Sequence, residues 1–459
     1  MPRLRQTGLA LALALSPLAC GSGLEHPANA STQELPTVAA REPAERPAPP
    51  AEPAGPPRLP EYTPAPGDEV EPHQKIEDPS GRALRHFQRA LMQLESGAST
   101  DKVRVLHLGD STLGVDGIPH SVRTRMQQRF GDGGPGLVLL KRYSLSYKPA
   151  SVALRGGDDW THCYIAYQCR GDGRYGIGGL IVSSGGGAST TIASLPNAAT
   201  GTEFSQVELW YAASDAGGSI ALEIDGELAK TIDTKLPGRL ELEDRWDLTT
   251  IEPGAHTLEV RAAGGGKARI YGVVLEHERP GVVWDATSMI GAFTKRLLAW
   301  DPEHIAAQVG HRDPDLIVFT YGGNDLRRIV AGSLDEDGYV AEAGAVIDLV
   351  RAGKPEASCL VTAVTDHGRS GTYDVDPEHM QVMIAAQRRL AFEKGCAFFD
   401  SWTAMGGADS LRKWLKQSPR LAEPDLKHLN HRGRELMGQW IHEALLAEYV
   451  GYRRRGVDD

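Results

Sequence analysis

Cysteine is scarce here, with five in 459 residues and no Cys-x-x-Cys pair among them. No His-Glu-x-x-His run occurs either. The two commonest spacings of a protein zinc site are therefore missing, and no metal is expected. There is no cluster of Lys and Arg, and the net charge is −11, which excludes nucleic acid as a partner. Gly-x-Ser-x-Gly is absent, so a reactive serine would not come from an α/β-hydrolase elbow. No internal repeat is present, which rules out solenoids and propellers. The apolar run Leu9 to Leu15 is too short to serve as a mature membrane span.

That run has another use. Arg3 and Arg5 precede it, and small residues lead from it to Cys20, the arrangement of a secretory signal. Leu18-Ala19-Cys20 followed by Gly21 resembles a bacterial lipoprotein signal. By that resemblance residues 1–20 are the signal, with Cys20 lipidated, and the protein is a lipid-anchored lipoprotein of the cell envelope, in the periplasm or on the outer surface. Cleavage after Ala28-Asn29-Ala30 would instead release it as a secreted protein. Residues 21–75 read as a disordered linker, because Pro, Ala and Glu dominate and 12 of the 29 prolines fall between Gly21 and Val70. An exported chain can oxidise Cys163, Cys169, Cys359 and Cys396, and four cysteines allow three pairings. Cys359 and Cys396 each begin an apolar run, so neighbouring parallel strands would bring them together. Cys163 and Cys169 would close a small loop.

The chain is long enough for more than one core. Leu84, Phe87, Leu91 and Leu94 mark one face of an amphipathic helix. Val103 to Leu108 reads as a buried strand of a parallel sheet, followed by the polar corner Gly109-Asp110-Ser111 and a helix from about Ile118. From Leu145 to His277 the texture changes to short alternating runs between Gly, Asp, Asn and Pro turns, such as QVELWYAA and HTLEVRA. These predict an antiparallel β-sandwich. After Pro280 strands alternate with helices again: PDLIVFTYGGND, helix Ala341 to Arg351, SCLVTAVTD, helix Met380 to Glu393, CAFFD, and helix Arg434 to Tyr449. That alternation implies an α/β parallel sheet. The expected organisation is a first part at 76–144, an inserted β-sandwich at 145–280 and a second part at 281–459.

Three polar corners fall where an open α/β sheet carries its chemistry, at the carboxyl ends of strands. Ser111 follows the first strand. Gly322-Gly323-Asn324-Asp325 follows the second and offers a side-chain amide that can stabilise an oxyanion. Asp425-Leu-Lys-His428 lies in the last loop, where a carboxylate three residues away can hold an imidazole in one tautomer. His431 is three residues further on, so an Asp/His/His metal run is an alternative use of this loop. Asp110 reads as a turn-holding residue and His107 as a hydrogen-bonded core histidine. His367, at the end of the third strand, could line a substrate cleft. Trp160, Trp210 and Trp246 could stack on sugar, with a core role more natural for Trp210.

Taken together, GDS at 109–111, Gly-x-Asn-Asp at 322–325 and Asp-x-x-His at 425–428 resemble the SGNH (GDSL-type) hydrolases, which have a flavodoxin-like fold and include esterases. The FGDGGPGLV turn and GVVWDATSMIGAF are similar to the Ape1-type peptidoglycan O-acetylesterases, in which a sandwich resembling a carbohydrate-binding module accompanies the hydrolase unit. Thr112 stands where that group often has His, and Ile290 where it usually has a polar residue. The resemblance implies Ser111 as nucleophile, His428 as general base and Asp425 as its orienting partner. It implies an oxyanion hole of the Ser111 N–H, the Gly291 N–H and the Asn324 amide, with no cofactor. The expected activity is removal of acetyl or other short acyl groups from an acetylated polysaccharide of the envelope. The same residues would serve an acyltransferase or a lipid or aryl esterase, and a non-catalytic glycan-binding lipoprotein is a rival of another class.

Overall fold

The computed structural model describes residues 62–368 and 375–455. The signal run, Cys20 and the linker as far as residue 61 lie outside the described residues. Five strands build a parallel sheet: Val103–Gly109, Val282–Ser288, Leu316–Thr320, Ser358–Thr362 and Ala397–Phe399. Numbered in that order they lie as 2-1-3-4-5, the flavodoxin arrangement, with its switch point between the first and third strands. Gly109 is in register with Ser288 on one side and Thr320 on the other. The carboxyl ends of these three strands therefore open onto the same edge.

Side chains alternate across a strand, so each strand feeds two cores. Val105, Trp284, Val318 and Phe399 face a cluster closed by the helices Gly117–Phe130 and His431–Arg455. Leu106, Phe319, Val361 and Phe398 face the other cluster, closed by the helices Pro302–Arg312, Glu336–Arg351 and Pro377–Glu393. The pair closing the first cluster approaches closely at Gly438. A Cβ there would stand 2.5 Å from the Ser121 Cβ and 2.7 Å from the Ile118 carbonyl.

Between the first and second parallel strands the chain makes two antiparallel sheets. One has six strands, five of them in a path from Glu243–Gly254 across Phe204–Ala213 and Ala268–Glu276 to Thr161–Tyr164, with Gly136–Val138 paired to Ala268–Glu276 off that path. The other has five, with Thr257–Gly264 at its centre. Their buried side chains, Trp160, Trp210, Ile192 and Val260 among them, belong to the same cluster as the second face of the parallel sheet. An ion cluster ties this region to the parallel sheet. Arg312 bonds Glu276 at 2.6 Å and also Asp285, which accepts from the Leu137 N–H at 2.7 Å. Burial alone would raise the Glu276 carboxyl; Arg312 and Arg104 outweigh it and hold the group at about 2.

Two boundaries differ from expectation. Gly136–Val138 already pairs with Ala268–Glu276, ahead of residue 145. This strand is three residues long, too short for its alternation to be read. Residues 62–75 do not behave as linker. Asp68 is 1% exposed and takes a two-pronged bond from Arg129, while His73 stacks on Trp440 at 4.0 Å. Pro-rich composition hid these anchoring side chains. Both disulfides join cysteines near each other in the chain or in the sheet: Cys163–Cys169 closes a loop, and Cys359–Cys396 links neighbouring parallel strands.

The Gly438 contact sets two effects against each other. Alanine is intrinsically better in a helix by about 1 kcal/mol, whereas overpacking costs about 1–3 kcal/mol. One of the opposing atoms is backbone and cannot rotate away. Gly438→Ala is expected to lower the unfolding free energy by roughly 1–2 kcal/mol in urea denaturation; a stabilised variant would contradict the close packing.

Candidate active site

Ser111 begins a short 3-10 turn, Ser111–Asp116, that leads into the helix Gly117–Phe130. Asp110 is buried and caps this turn. Its Oδ1 accepts from the Thr112 N–H at 2.9 Å and the Thr112 hydroxyl at 2.8 Å. It is a turn-holding residue, as its sequence context suggests, and Thr112 serves the same turn. Val115 and Asp116 follow with φ of 52° and 54°. A β-branched residue rarely adopts that conformation, which costs on the order of 1–3 kcal/mol. It is held in place by the Ser146 carbonyl, which accepts from the Val115 N–H at 2.7 Å, and by the Asp116–Arg123 ion pair.

The last loop folds back as a small hairpin, with Ala422 bridged to Leu429. It delivers His428 to Ser111: Nε2 lies 3.0 Å from Oγ, and Nδ1 lies 2.6 Å from Asp425 Oδ2. A carboxylate can only accept, so Nδ1 carries the proton and Nε2 presents its lone pair to the serine hydroxyl. Asp425 Oδ1 also accepts from the Lys427 and His428 N–H groups, each at 3.0 Å. Burial alone would raise the Asp425 carboxyl; these bonds, that of the His428 ring foremost, outweigh it and keep it below the usual range. His431 opens the final helix, one turn beyond.

Two further loops reach the same edge. The Met289 N–H donates to the Gly109 carbonyl at 2.6 Å, which sets the segment after the second strand beside Ser111. Gly291 follows in that segment, exposed, with φ of +76° and open space around its Cα. Among the described residues no carbonyl accepts from its N–H or from that of Ser111. Asn324 donates through Nδ2 to the Ala292 carbonyl at 3.1 Å, and makes only a 3.5 Å contact with Asp110 Oδ2. A bond of that length is weak, so one amide hydrogen can turn to a substrate oxygen. The site thus holds a hydroxyl bonded to an imidazole, on an edge that also carries the Gly291 segment and the Asn324 amide. A serine so placed can act as a nucleophile in acyl transfer.

Sequence reasoning missed two kinds of residue here. Tyr143 and Tyr164, from the antiparallel region, hold the chain that leads into Gly291 at two points. The Tyr143 hydroxyl donates to the Ser288 carbonyl, and that of Tyr164 to the Ile290 carbonyl at 2.9 Å. Their rings pack 4.7 Å apart. A run of tyrosines in a β-region reads as core, and only contact with a distant loop gives these two another use. Asp325 is the second case. Its Oδ2 accepts from the Thr294 N–H at 2.9 Å and hydroxyl at 2.7 Å, so it ties the Asn324 corner to the chain just after Gly291. Its Oδ1 has only Arg328 nearby, at 3.5 Å. Burial pushes the carboxyl up to about 6, with Asp110 adding to the rise and the Thr294 bonds opposing it.

Other candidates have simpler fates. His107 is buried, bonded to Thr320 Oγ1 at 2.8 Å, and burial lowers it to about 3, so it is a neutral core histidine. His367 donates through Nδ1 to the Thr365 carbonyl at 2.9 Å and lines an open cleft of about 380 Å³ with Asp366, Val375 and Met380. Trp160 and Trp210 are core, and Trp246 stacks on His311 at 4.2 Å.

Residues 260–436 match the family described as GDSL-like lipase/acylhydrolase. Over those residues the chain is similar to the SGNH (GDSL-type) hydrolases, a family of carboxylic-ester hydrolases. No curated sequence matches it. Among solved structures, a peptidoglycan O-acetylesterase aligns at a TM-score of 0.65 and 20% identity, over 83% of this chain and 99% of its own, a likeness of fold. A family two carbohydrate esterase from Clostridium thermocellum aligns at a TM-score of 0.27 and 9% identity, over 66% of this chain and 99% of its own. Nothing is read from so low a score.

Two outcomes are expected from this geometry. Tyr164→Phe removes one hydroxyl from the clamp on the Gly291 segment, and should lower kcat on a chromogenic acetyl ester about tenfold with KM nearly unchanged. An unchanged kcat would show the clamp to be inert. Asp325 binds its proton more tightly folded than unfolded, so its contribution to stability is full below about pH 4. That contribution is lost as pH rises through about 6, on the order of 3 kcal/mol over the whole range. Urea denaturation at pH 4 and pH 7 should show this slope in the native protein and a flatter one in Asp325→Asn.

Proposed function

We propose that this protein is an exported, lipid-anchored serine esterase that removes O-acetyl or other short acyl groups from a cell-envelope polysaccharide such as peptidoglycan. The observation that carries the reaction is the continuous contact from Asp425 through His428 to Ser111. The likeness of fold to a peptidoglycan O-acetylesterase supports the choice of substrate. The lipoprotein-type sequence ending at Cys20 supports the location.

In the first half-reaction Ser111 Oγ attacks the ester carbonyl and His428 Nε2 takes its proton. The carbonyl oxygen becomes an oxyanion, stabilised by the N–H groups of Ser111 and Gly291 and the Asn324 amide. The tetrahedral intermediate collapses, His428 returns the proton to the departing sugar oxygen, and the acyl group stays on Ser111. Water then attacks the acyl carbon while His428 again accepts a proton, and the carboxylic acid and free serine are released. Asp425 keeps the imidazole upright and steadies its charge. Every proton and leaving group is handled by these side chains.

Ser111→Ala and His428→Ala should each reduce kcat by about 10⁴-fold or more, with Asp425→Ala milder and Asn324→Ala lower by about 10²–10³. The assay is acetate release by the full chain from O-acetylated peptidoglycan, with acetylated xylan for comparison. The peptidoglycan ester should turn over faster. Activity untouched in Ser111→Ala would end the assignment of the nucleophile, and a preference for xylan would end that of the substrate.

A further inference from the structure

Four tyrosine rings run in sequence from the interior to the surface, the middle two bonded to the segment that leads into Gly291. Tyr147 packs on Tyr143 at 5.4 Å, Tyr143 on Tyr164 at 4.7 Å, and Tyr164 on Tyr167 at 5.4 Å. The first is buried, whereas the last is 73% exposed. An aromatic ring so exposed at the end of an ordered stack is an unusual use of apolar surface, because burying it elsewhere would stabilise the fold. It is also held rigidly. Tyr167 sits in the loop closed by the Cys163–Cys169 disulfide, and Gln168 beside it adopts φ of 50° and bonds Arg296.

That loop stands next to the catalytic edge. Tyr164, three residues earlier, bonds the Ile290 carbonyl adjoining Gly291, and Arg296 lies in the turn just beyond. Beside the Ser111 turn a second large apolar side chain is left in solvent. Leu145 is 92% exposed, in a loop whose Ser146 carbonyl holds the Val115 N–H of the Ser111 turn. One loop borders the Gly291 segment and the other borders the Ser111 turn. Ile290 lies between them, its side chain against Gly114.

We infer that Tyr167, with Leu145 beside the Ser111 turn, forms a sugar-binding subsite that seats the pyranose ring carrying the scissile ester, or its neighbour. This deepens the proposed function and rests on it for the identity of the ester, but not for the binding. A pyranose has an apolar C–H face and polar edges, and a rigid exposed tyrosine offers the matching flat surface at little entropic cost. The core placement of Trp160 and Trp210 and the stacking of Trp246 on His311 leave Tyr167 as the exposed ring nearest the catalytic edge among the described residues.

The test separates binding from turnover. Chitooligosaccharide, a β-1,4-linked chain of N-acetylglucosamine that shares the linkage of the peptidoglycan glycan and carries no O-acetyl ester, is titrated calorimetrically into the full chain carrying Ser111→Ala, alone and with Tyr167→Ala, Tyr167→Phe or Leu145→Ser. Binding should weaken about tenfold with Tyr167→Ala, less with Leu145→Ser, and be kept by Tyr167→Phe, which retains the ring. In turnover, Tyr167→Ala should lower the ratio of kcat/KM for the glycan ester to that for a small chromogenic ester by a similar factor. Equal binding by the Tyr167→Ala protein, or an equal fall on both esters, would overturn the subsite. Binding that depends on Tyr167 in a protein that releases no acetate would keep the subsite and overturn the esterase instead.

Discussion

The peptide between Gly109 and Asp110 is gripped from both sides. The Gly109 carbonyl accepts from Met289, the Asp110 N–H donates to Thr320 at 3.1 Å, and the Asp110 carbonyl accepts from the Ser288 hydroxyl at 3.0 Å. These bonds extend the parallel ladder one step past its last residues, at the point where the strand order reverses. They tie together the ends of three strands far apart in the chain. A Cβ at Gly109 would lie 2.6 Å from the Leu113 side chain and 2.8 Å from the Thr320 carbonyl, so only glycine admits this approach. Ser111, Gly291 and Asn324 each follow one of the strand ends joined in that knot. Asp110 adds to it by capping the serine turn with one oxygen and facing Asn324 with the other.

The antiparallel region is more than an appendage to this edge. Its first residues, Ser146 to Ala150, stabilise the strained backbone at Val115 and Asp116, the latter accepting from the Ala150 N–H at 2.9 Å. Its tyrosines bond the Ser288 and Ile290 carbonyls on the approach to Gly291. Its buried side chains share one hydrophobic cluster with the parallel sheet. Positioning an oxyanion donor to within tenths of an ångström is a matter of fixed backbone, since a donor that has to move during the reaction loses much of its effect. The Gly291 segment is thus held by a part of the chain that supplies none of Ser111, Asp425 and His428.

The parallel sheet was legible in the sequence because buried strands such as LIVFT and SCLVT are continuous apolar runs bounded by glycine or charge. The three polar corners could be ranked by the ends of those strands, and the Asp-x-x-His spacing needs only a local turn to close. Much of the antiparallel region was harder. Strands such as Glu227–Asp233 and Glu243–Gly254 carry mostly half-exposed or exposed side chains, so alternation is faint. Asp68 and His73 sit in Pro-rich sequence whose composition outweighs two anchoring contacts. Tyr143, Tyr164 and Asp325 act through loops remote in sequence, and a single chain gives no local sign of such contacts. Helix ends moved by a few residues where capping groups decide them, as at Asp335, which accepts from the Gly338 N–H ahead of the expected start at Ala341.

The central claim is that one serine hydroxyl, primed by His428, receives the acyl group. The most direct measurement is covalent trapping with a fluorophosphonate, which mimics the tetrahedral intermediate, followed by peptide mapping in a mass spectrometer. The account predicts a single adduct, on the peptide containing Ser111, that forms far more slowly when His428 is replaced by alanine. An adduct on another residue, or no adduct in a protein that still hydrolyses esters, would contradict it.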